Sequence, residues 1–244
     1  RLLTYYNLSF KNNIDFLLVS LFLGFGTISY LVFGFGSIGY LNFNIIYLII
    51  TLGIMAWYKN GRITLRKINY FSIKTSFMKF IDFNNQNWII SFFLISFTIV
   101  AFSNLISSLA PPTDSDSLSY HLSLPKYYLK IGKIVALPYY KDYLSPFTAE
   151  MWNIISLLLK KDQLAQVFQS LMGIGSALVL YRLTAERISK RAGLFVSTFY
   201  YLNPKIIVLS SVAKCDNAFF GYVFLSLHML FTWNETKNNK FMYI

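Results

Sequence analysis

The sequence predicts an all-α protein: a polytopic bundle of transmembrane helices with external juxtamembrane helices at its edge. Three observations carry that expectation. Residues 16–58 contain no charged side chain, a run about twice the roughly 20 residues a helix needs to cross the hydrocarbon. Residues 88–109 are likewise uncharged over the length of one crossing, and apolar segments of similar length recur later in the chain. The 244 residues are 55% hydrophobic and only 13% charged, more apolar than a water-soluble core of this size requires.

The first run, 16–58, divides into two spans with a tight turn at 37–44. Within it GFGTISYL, from Gly24, and GFGSIGYL, from Gly34, form a local repeat whose glycines and serines allow close helix approach. A phosphate-binding loop would need a strand before it and a basic residue after it, and the repeat has neither. Lys59, Arg62, Arg66, Lys67, Lys74 and Lys79 then precede the next acid, Asp82, and mark a cytoplasmic loop. The span at 88–109 therefore runs outward and delivers 111–134 to the outer face. Further spans are expected at 163–181, 192–213 and 217–234, about six in all. Residues 147–159 are too few to cross and suit an interfacial or re-entrant helix. Left on the outer side, that helix puts Arg182, Arg187, Lys190 and Arg191 inside with Lys237 and Lys240. Two regions follow: 1–87, a membrane hairpin with its basic loop, and 88–244, a membrane core whose first external loop is 110–162. Apolarity returning at Phe241 to Ile244 leads us to expect a longer protein of which this is the N-terminal part.

The net charge of +12 resides in short loops between apolar runs and not on one soluble face, which points to topology and anionic lipid and away from nucleic acid. A single cysteine, Cys215, excludes an internal disulfide framework. No His, Cys, Asp and Glu residues stand at metal-ligand spacing along the chain, so no metal is expected.

Two acids, Asp114 and Asp116, follow directly on the 88–109 span. Leu118, Leu122 and Leu129, with Tyr128, recur at helical spacing, so a helix over 117–131 is expected to carry one apolar stripe. Gly132 would end it, and Pro125 would kink it or start a second helix. One acid can cap such a helix, but a cap does not require two. A carboxylate at the membrane edge can also act as base for a transfer reaction whose donor is a lipid phosphate, with cations stabilising the phosphate that leaves. Lys126, Lys141 and Lys214 are candidates for that second task, each readable also as an interfacial side chain with a snorkelling stem. His121 reads equally as a hydroxyl or phosphate contact or as an interfacial residue. Glu150 reads as a favourable charge at a helix start or as a substrate contact. His228, inside a span, reads as structural.

The segment DSLSYHLSLPKYYLKIGKI, from Asp116, resembles the first external loop of the C-type membrane glycosyltransferases, in the branch holding protein O-mannosyltransferases and lipid A aminoarabinose transferases. SPFTAEMW, 145–152, resembles that family's second juxtamembrane helix, and YLNPKIIVLSSVAKCDNAFF, 201–220, resembles a later segment in which an acid appears at the outer face. The resemblance spans about 88–233. It implies transfer of a sugar from a polyprenyl-phosphate donor, without a separate cofactor, to a glycan, lipid or protein acceptor outside a bacterial inner membrane. It further implies that Asp116 is the catalytic base, with Asp114 as the other candidate, and that Asp216 is a second outer acid. The implied substrate-binding set is Asp216, Lys214, Lys126, Tyr120, His121, Lys141 and Glu150. Two other classes fit the same sequence: a transporter or flippase of lipid-linked or anionic solutes, and a non-catalytic truncated relative.

Overall fold

Helix is the one regular structure that an apolar chain can form in lipid without leaving backbone groups unpaired, closed barrels aside. In a computed structural model of the chain, which describes residues 10, 12–45, 47–49, 51–55, 88–137 and 148–243, all regular structure among the described residues is helical. Helix α1 (Asn13–Ser37) starts where the Asn12 side chain accepts the Ile14 N–H at 3.0 Å. It ends at a turn in which Gly39 takes φ 88°, a left-handed conformation that suits glycine, within the turn expected at 37–44. A shorter apolar helix, Phe43–Met55, follows. Then come α2 (Trp88–Ser107), a π-helical turn (Ser117–His121), α3 (Ser123–Ile131) and α4 (Glu150–Leu158). The last part holds α5 (Gln163–Arg187), α6 (Lys190–Tyr201), α7 (Pro204–Leu209), α8 (Asp216–Thr236) and a 3₁₀ turn (Asn239–Tyr243).

Three of these helices are long and apolar enough to cross a membrane: Ile14–Ser37, Trp88–Ser107 and Gln163–Arg187. They coincide with three of the expected spans, and α1 and α5 run on past the expected limits to take in Asp15, Arg182 and Glu186. The single span expected at 192–213 is instead two short helices. Asn203 stops α6 and caps α7 by accepting the Lys205 N–H at 2.9 Å, and Pro204, with no N–H to donate, begins the new helix. Helix α8 has the length of a span, 21 residues, but Asn217, His228 and Asn234 make it less apolar. The basic loop at 59–79 lies outside the described residues.

Antiparallel connections give the bundle two ends. At one, Arg182 of α5 grips Asp15 of α1 through two bonds of 2.7 Å, Nε to Oδ1 and Nη2 to Oδ2, and also bonds Glu186. His228 of α8 joins by its Nε2, 3.2 Å from Asp15 Oδ1, while Arg187 Nη1 lies 3.3 Å from His228 Nδ1. Arginine can only donate, so Nδ1 accepts and Nε2 carries the hydrogen given to Asp15. His228 is therefore structural, as expected, and its partners lie 41 and 213 residues away.

Above this clasp Phe22 is fully buried among α1, α5 and α8, with Val19, Met172 and Leu225 around it. Gly221 is what admits it, because a Cβ there would overlap the Phe22 ring; a Cβ at Gly175 would stand 3.3 Å from the same ring, closer than an ordinary contact. In the repeat of α1 only the second glycine of each copy serves close packing, Gly26 against Tyr222 and Gly36 against Ile134, while Gly24 and Gly34 face open space.

Past Phe25, its middle residue, α1 changes partners. Its second half packs on α3 and α4, where Val32, Leu124, Tyr128, Met151 and Ile154 form a separate buried cluster. Trp152 stacks on Phe25 with ring centroids 4.5 Å apart, and its indole N–H donates to the Phe25 carbonyl at 3.1 Å. Helix α4, nine residues long, thus stands against α1 with one buried face. Backbone bonds from Leu41 N to Gly132 O (3.0 Å) and from Ile134 N to Gly36 O (2.9 Å) bind the turn after α1 to the end of α3.

Candidate functional site

The chain leaves α2 through a turn whose carbonyls at Ser108 and Ala110 accept from the Gln166 amide of α5, at 3.3 and 2.6 Å. That bond fixes where Pro111 and the two acids emerge. Asp114 Oδ2 accepts the Ser117 backbone N–H at 2.9 Å and the Ser117 hydroxyl at 3.0 Å. Asp114 is therefore the helix cap that one of the two acids was expected to be. The same hydroxyl, wholly buried, accepts the Ala213 N–H at 3.1 Å and draws the segment before α8 onto the loop.

That contact brings Lys214 to the acids. Its ammonium lies 2.8 Å from Asp116 Oδ2 and 3.5 Å from Asp114 Oδ2. The hydrogen bond to Asp116 is the main reason its pKa is held above the usual lysine value; partial burial opposes it and the Asp114 charge adds to it. For Asp114 burial acts upward, but the two Ser117 bonds and the Lys214 charge outweigh it and hold the carboxyl below its usual value. Asp116 is the open member of the group, with 49% of its side chain exposed.

A helix over 117–131 was expected. The π-helical turn at Ser117–His121 adds a residue to one turn and shifts the buried face. Leu118 is consequently exposed, and the buried stripe is Leu122, Leu124 and Tyr128. Pro125 sits in the first turn of α3, where its missing N–H costs nothing, and Gly132 ends the helix with φ 70°, as expected.

The π-turn points His121 inward. His121 and Glu150 are both buried, and Nδ1 of the first lies 2.7 Å from Oε1 of the second. Asn153 donates to the His121 carbonyl at 2.8 Å, fixing α4 against the turn. Glu150 does open α4, as the dipole reading expected, and it also turns inward as the hydrogen-bond partner of His121, which corrects the interfacial reading of His121. Tyr120 packs beside His121, ring centroids 4.1 Å apart. Cys215 is half-buried, its thiol pushed up to about 12 first by burial and then by the charges of Glu150 and Asp216.

Of the remaining candidates, Asp216 is the first residue of α8, where a carboxylate meets the positive end of the helix. Lys126 is turned away to an exposed pair with Asp162 at 3.2 Å, so its interfacial reading fits better than phosphate contact beside Asp116. Lys141 lies outside the described residues. The structure thus gathers Asp114, Asp116 and Lys214 in one group and His121 and Glu150 in another. Ser117 was missed because a buried serine bridging 96 residues has no local signal.

Set against known proteins, the chain matches no family model, no curated protein and no solved structure.

Chemically the first group offers a half-exposed carboxylate whose partner cation can be surrendered to an incoming anion. A cavity of about 280 Å³ opens at the opposite end, lined by Asp15, Glu186, His228 and Glu235 among others. It is remote from Asp116, and its acids are already committed: Asp15 and Glu186 to Arg182 and Glu235 to Arg187.

Proposed function

We propose that the protein is a multi-pass membrane glycosyltransferase that moves a sugar from a polyprenyl-phosphate donor to an acceptor at the outer face of a bacterial inner membrane. The observation that carries this reading is the Asp116–Lys214 pair at 2.8 Å, held by the Asp114–Ser117 cap where an apolar helix ends. Asp116 removes the proton from an acceptor hydroxyl as its oxygen attacks the anomeric carbon. The bond from that carbon to the donor phosphate oxygen breaks, the configuration inverts, and Lys214 follows the negative charge onto the departing polyprenyl phosphate. Asp216, at the start of α8, orients the acceptor and donor in this scheme.

The helix connections fit the topology this reading needs. The bonds between the turn after α1 and Gly132 put that turn on the same side as Asp116. A first hairpin that enters from and returns to the cytoplasm requires that arrangement, and it leaves Arg182, Arg187, Lys190 and Arg191 at the inner end. In this scheme α8 and the broken pair α6 and α7 complete the bundle, and α3 and α4 are juxtamembrane helices.

The test is Asp116→Asn in membranes supplied with labelled polyprenyl-phosphate sugars resolved by thin-layer chromatography. Transfer should fall by about 10²–10⁴-fold, the usual contribution of general-base catalysis, and undiminished transfer would overturn the assignment.

A transporter is the second reading, favoured by the network of Asp15, Arg182 and Glu186, joined by His228, inside the helices beside a cavity. Uptake of a lipid-linked or anionic solute into proteoliposomes with no covalent change would decide for it.

A further inference from the structure

His121, Glu150 and Cys215 come from three separate parts of the chain, yet one ligand atom of each lies within 4.8 Å of the other two. They offer one imidazole nitrogen, one carboxylate oxygen and one sulfur. His121 and Glu150 are 4% and 3% exposed, so the group is shielded from water on most sides. A hydrogen bond between them accounts for His121 Nδ1 and Glu150 Oε1, but Glu150 Oε2 is buried with no hydrogen-bond partner at all. A carboxylate oxygen taken out of water and left unpaired is destabilising, and a native fold rarely leaves it uncompensated. Nothing in the transfer scheme uses Cys215 or that oxygen.

We propose that these three side chains form a zinc site that clasps the outer loop. The donor set selects the metal: magnesium and calcium take oxygen ligands almost alone, whereas zinc accepts nitrogen, sulfur and oxygen together. Zinc bonds of about 2.0–2.3 Å place ligand atoms roughly 3.2–3.6 Å apart. The 2.7 Å contact between His121 and Glu150 must then open by about half an ångström, within reach of small side-chain rotations, while Cys215 closes in. Binding exchanges the thiol proton of Cys215, released to solvent, for the metal. Three protein ligands leave a fourth position for water or substrate, the pattern of an open zinc site. The metal would fasten the π-helical turn, the start of α4 and the segment before α8 to one another, and so fix Lys214, which adjoins Cys215, and Asp116, which immediately precedes the turn that carries His121.

The sequence makes the test direct, because Cys215 is the single cysteine of the chain. The full chain, purified in detergent with no histidine tag, is alkylated with a maleimide in the presence of Zn²⁺ or of Mg²⁺. Zinc should slow labelling at least ~10-fold and magnesium should leave it unchanged. His121→Ala and Glu150→Gln should each remove the protection, since loss of a ligand weakens a site at least as much as the ~10–100-fold typical of its surrounding partners. Co²⁺ should bind one per chain with a thiolate charge-transfer band that Zn²⁺ abolishes and that Cys215→Ala lacks. Equal labelling of the unaltered protein with and without Zn²⁺ would overturn the site without recourse to any variant. So would Co²⁺ binding that Cys215→Ala leaves unchanged. None of these readouts depends on sugar transfer, so the result stands apart from the proposed reaction.

Discussion

At one end of the bundle Arg182 grips Asp15 with both side chains under a tenth exposed, whereas at the other Lys214 grips Asp116, half of whose side chain is open to solvent. Both are ion pairs of about the same length, but their surroundings reverse their meaning. A buried pair is costly to break, because the survivor is left as a lone charge out of water, and it therefore serves to hold helices in register. An exposed pair contributes little to folding and can be opened by a competing charge. The lesson is that the ions the bundle depends on are at the Asp15 end and the ions open to a competing charge are at the Asp116 end.

The sharpest way to break that contrast is Arg182→Ala. It strands Asp15 and Glu186 against His228 and should cost about 3–5 kcal/mol, seen as a large drop in thermal unfolding temperature in detergent. Replacing both Asp15 and Arg182 by leucine should recover most of the loss, and failure to recover would show that the pair does more than balance itself. Next in size is Gly221→Ala, which forces a methyl group into the Phe22 ring and should cost about 1–3 kcal/mol by the same assay.

Asp114→Ala removes the cap at the other end and should cost about 0.5–2 kcal/mol. Its pH dependence sharpens the comparison. Asp114 is held below its ordinary 3.8, so its contribution is complete above that value and is lost as pH falls through the lower folded one. Lys214 is held above 10.5, so its contribution is complete below that value and is lost as pH rises through the higher folded one. The stability difference between the parent chain and Asp114→Ala should therefore be flat across the neutral range, shrink in strong acid as Asp114 protonates, and shrink again in strong alkali as Lys214 loses its charge. Smallest of all, Asp116→Asn should shift stability by less than about 1 kcal/mol while lowering the proposed transfer by about 10²–10⁴-fold. A large loss of stability there would move Asp116 into the structural class.

The same division explains what could be read from the sequence. Helices α1, α2 and α5 were legible because lipid demands long apolar runs and nothing else in the chain competes with that signal. Their ends were not. Hydropathy marks where hydrocarbon stops, but a helix continues through charges that find partners, as α5 does through Arg182 and Glu186. The break in the expected 192–213 span was available in Asn203-Pro204, a cap followed by a residue that starts helices, and apolar composition on both sides hid it. At the Asp116 end the local features were legible: Asp114 as cap and Gly132 as terminator depend on neighbours only. The π-turn was not, and with it the inward turn of His121 was missed. Ser117 with Ala213, His121 with Glu150, and Asp15 with Arg182 and His228 pair residues 29 to 213 positions apart, and no periodicity encodes them.

The long reach of the Asp15 clasp has a consequence for how the protein is made. Arg182 follows Asp15 by 167 residues, which at synthesis rates of about 5–20 residues per second is an interval of roughly 8–33 s. Throughout it α1 is already in existence with its acid unpaired, and Phe22 has neither Met172 nor Gly221 to lie against. The first helix must therefore wait for its partners at the membrane, and the order of synthesis makes docking of α5 and α8 the step that commits the chain to its fold.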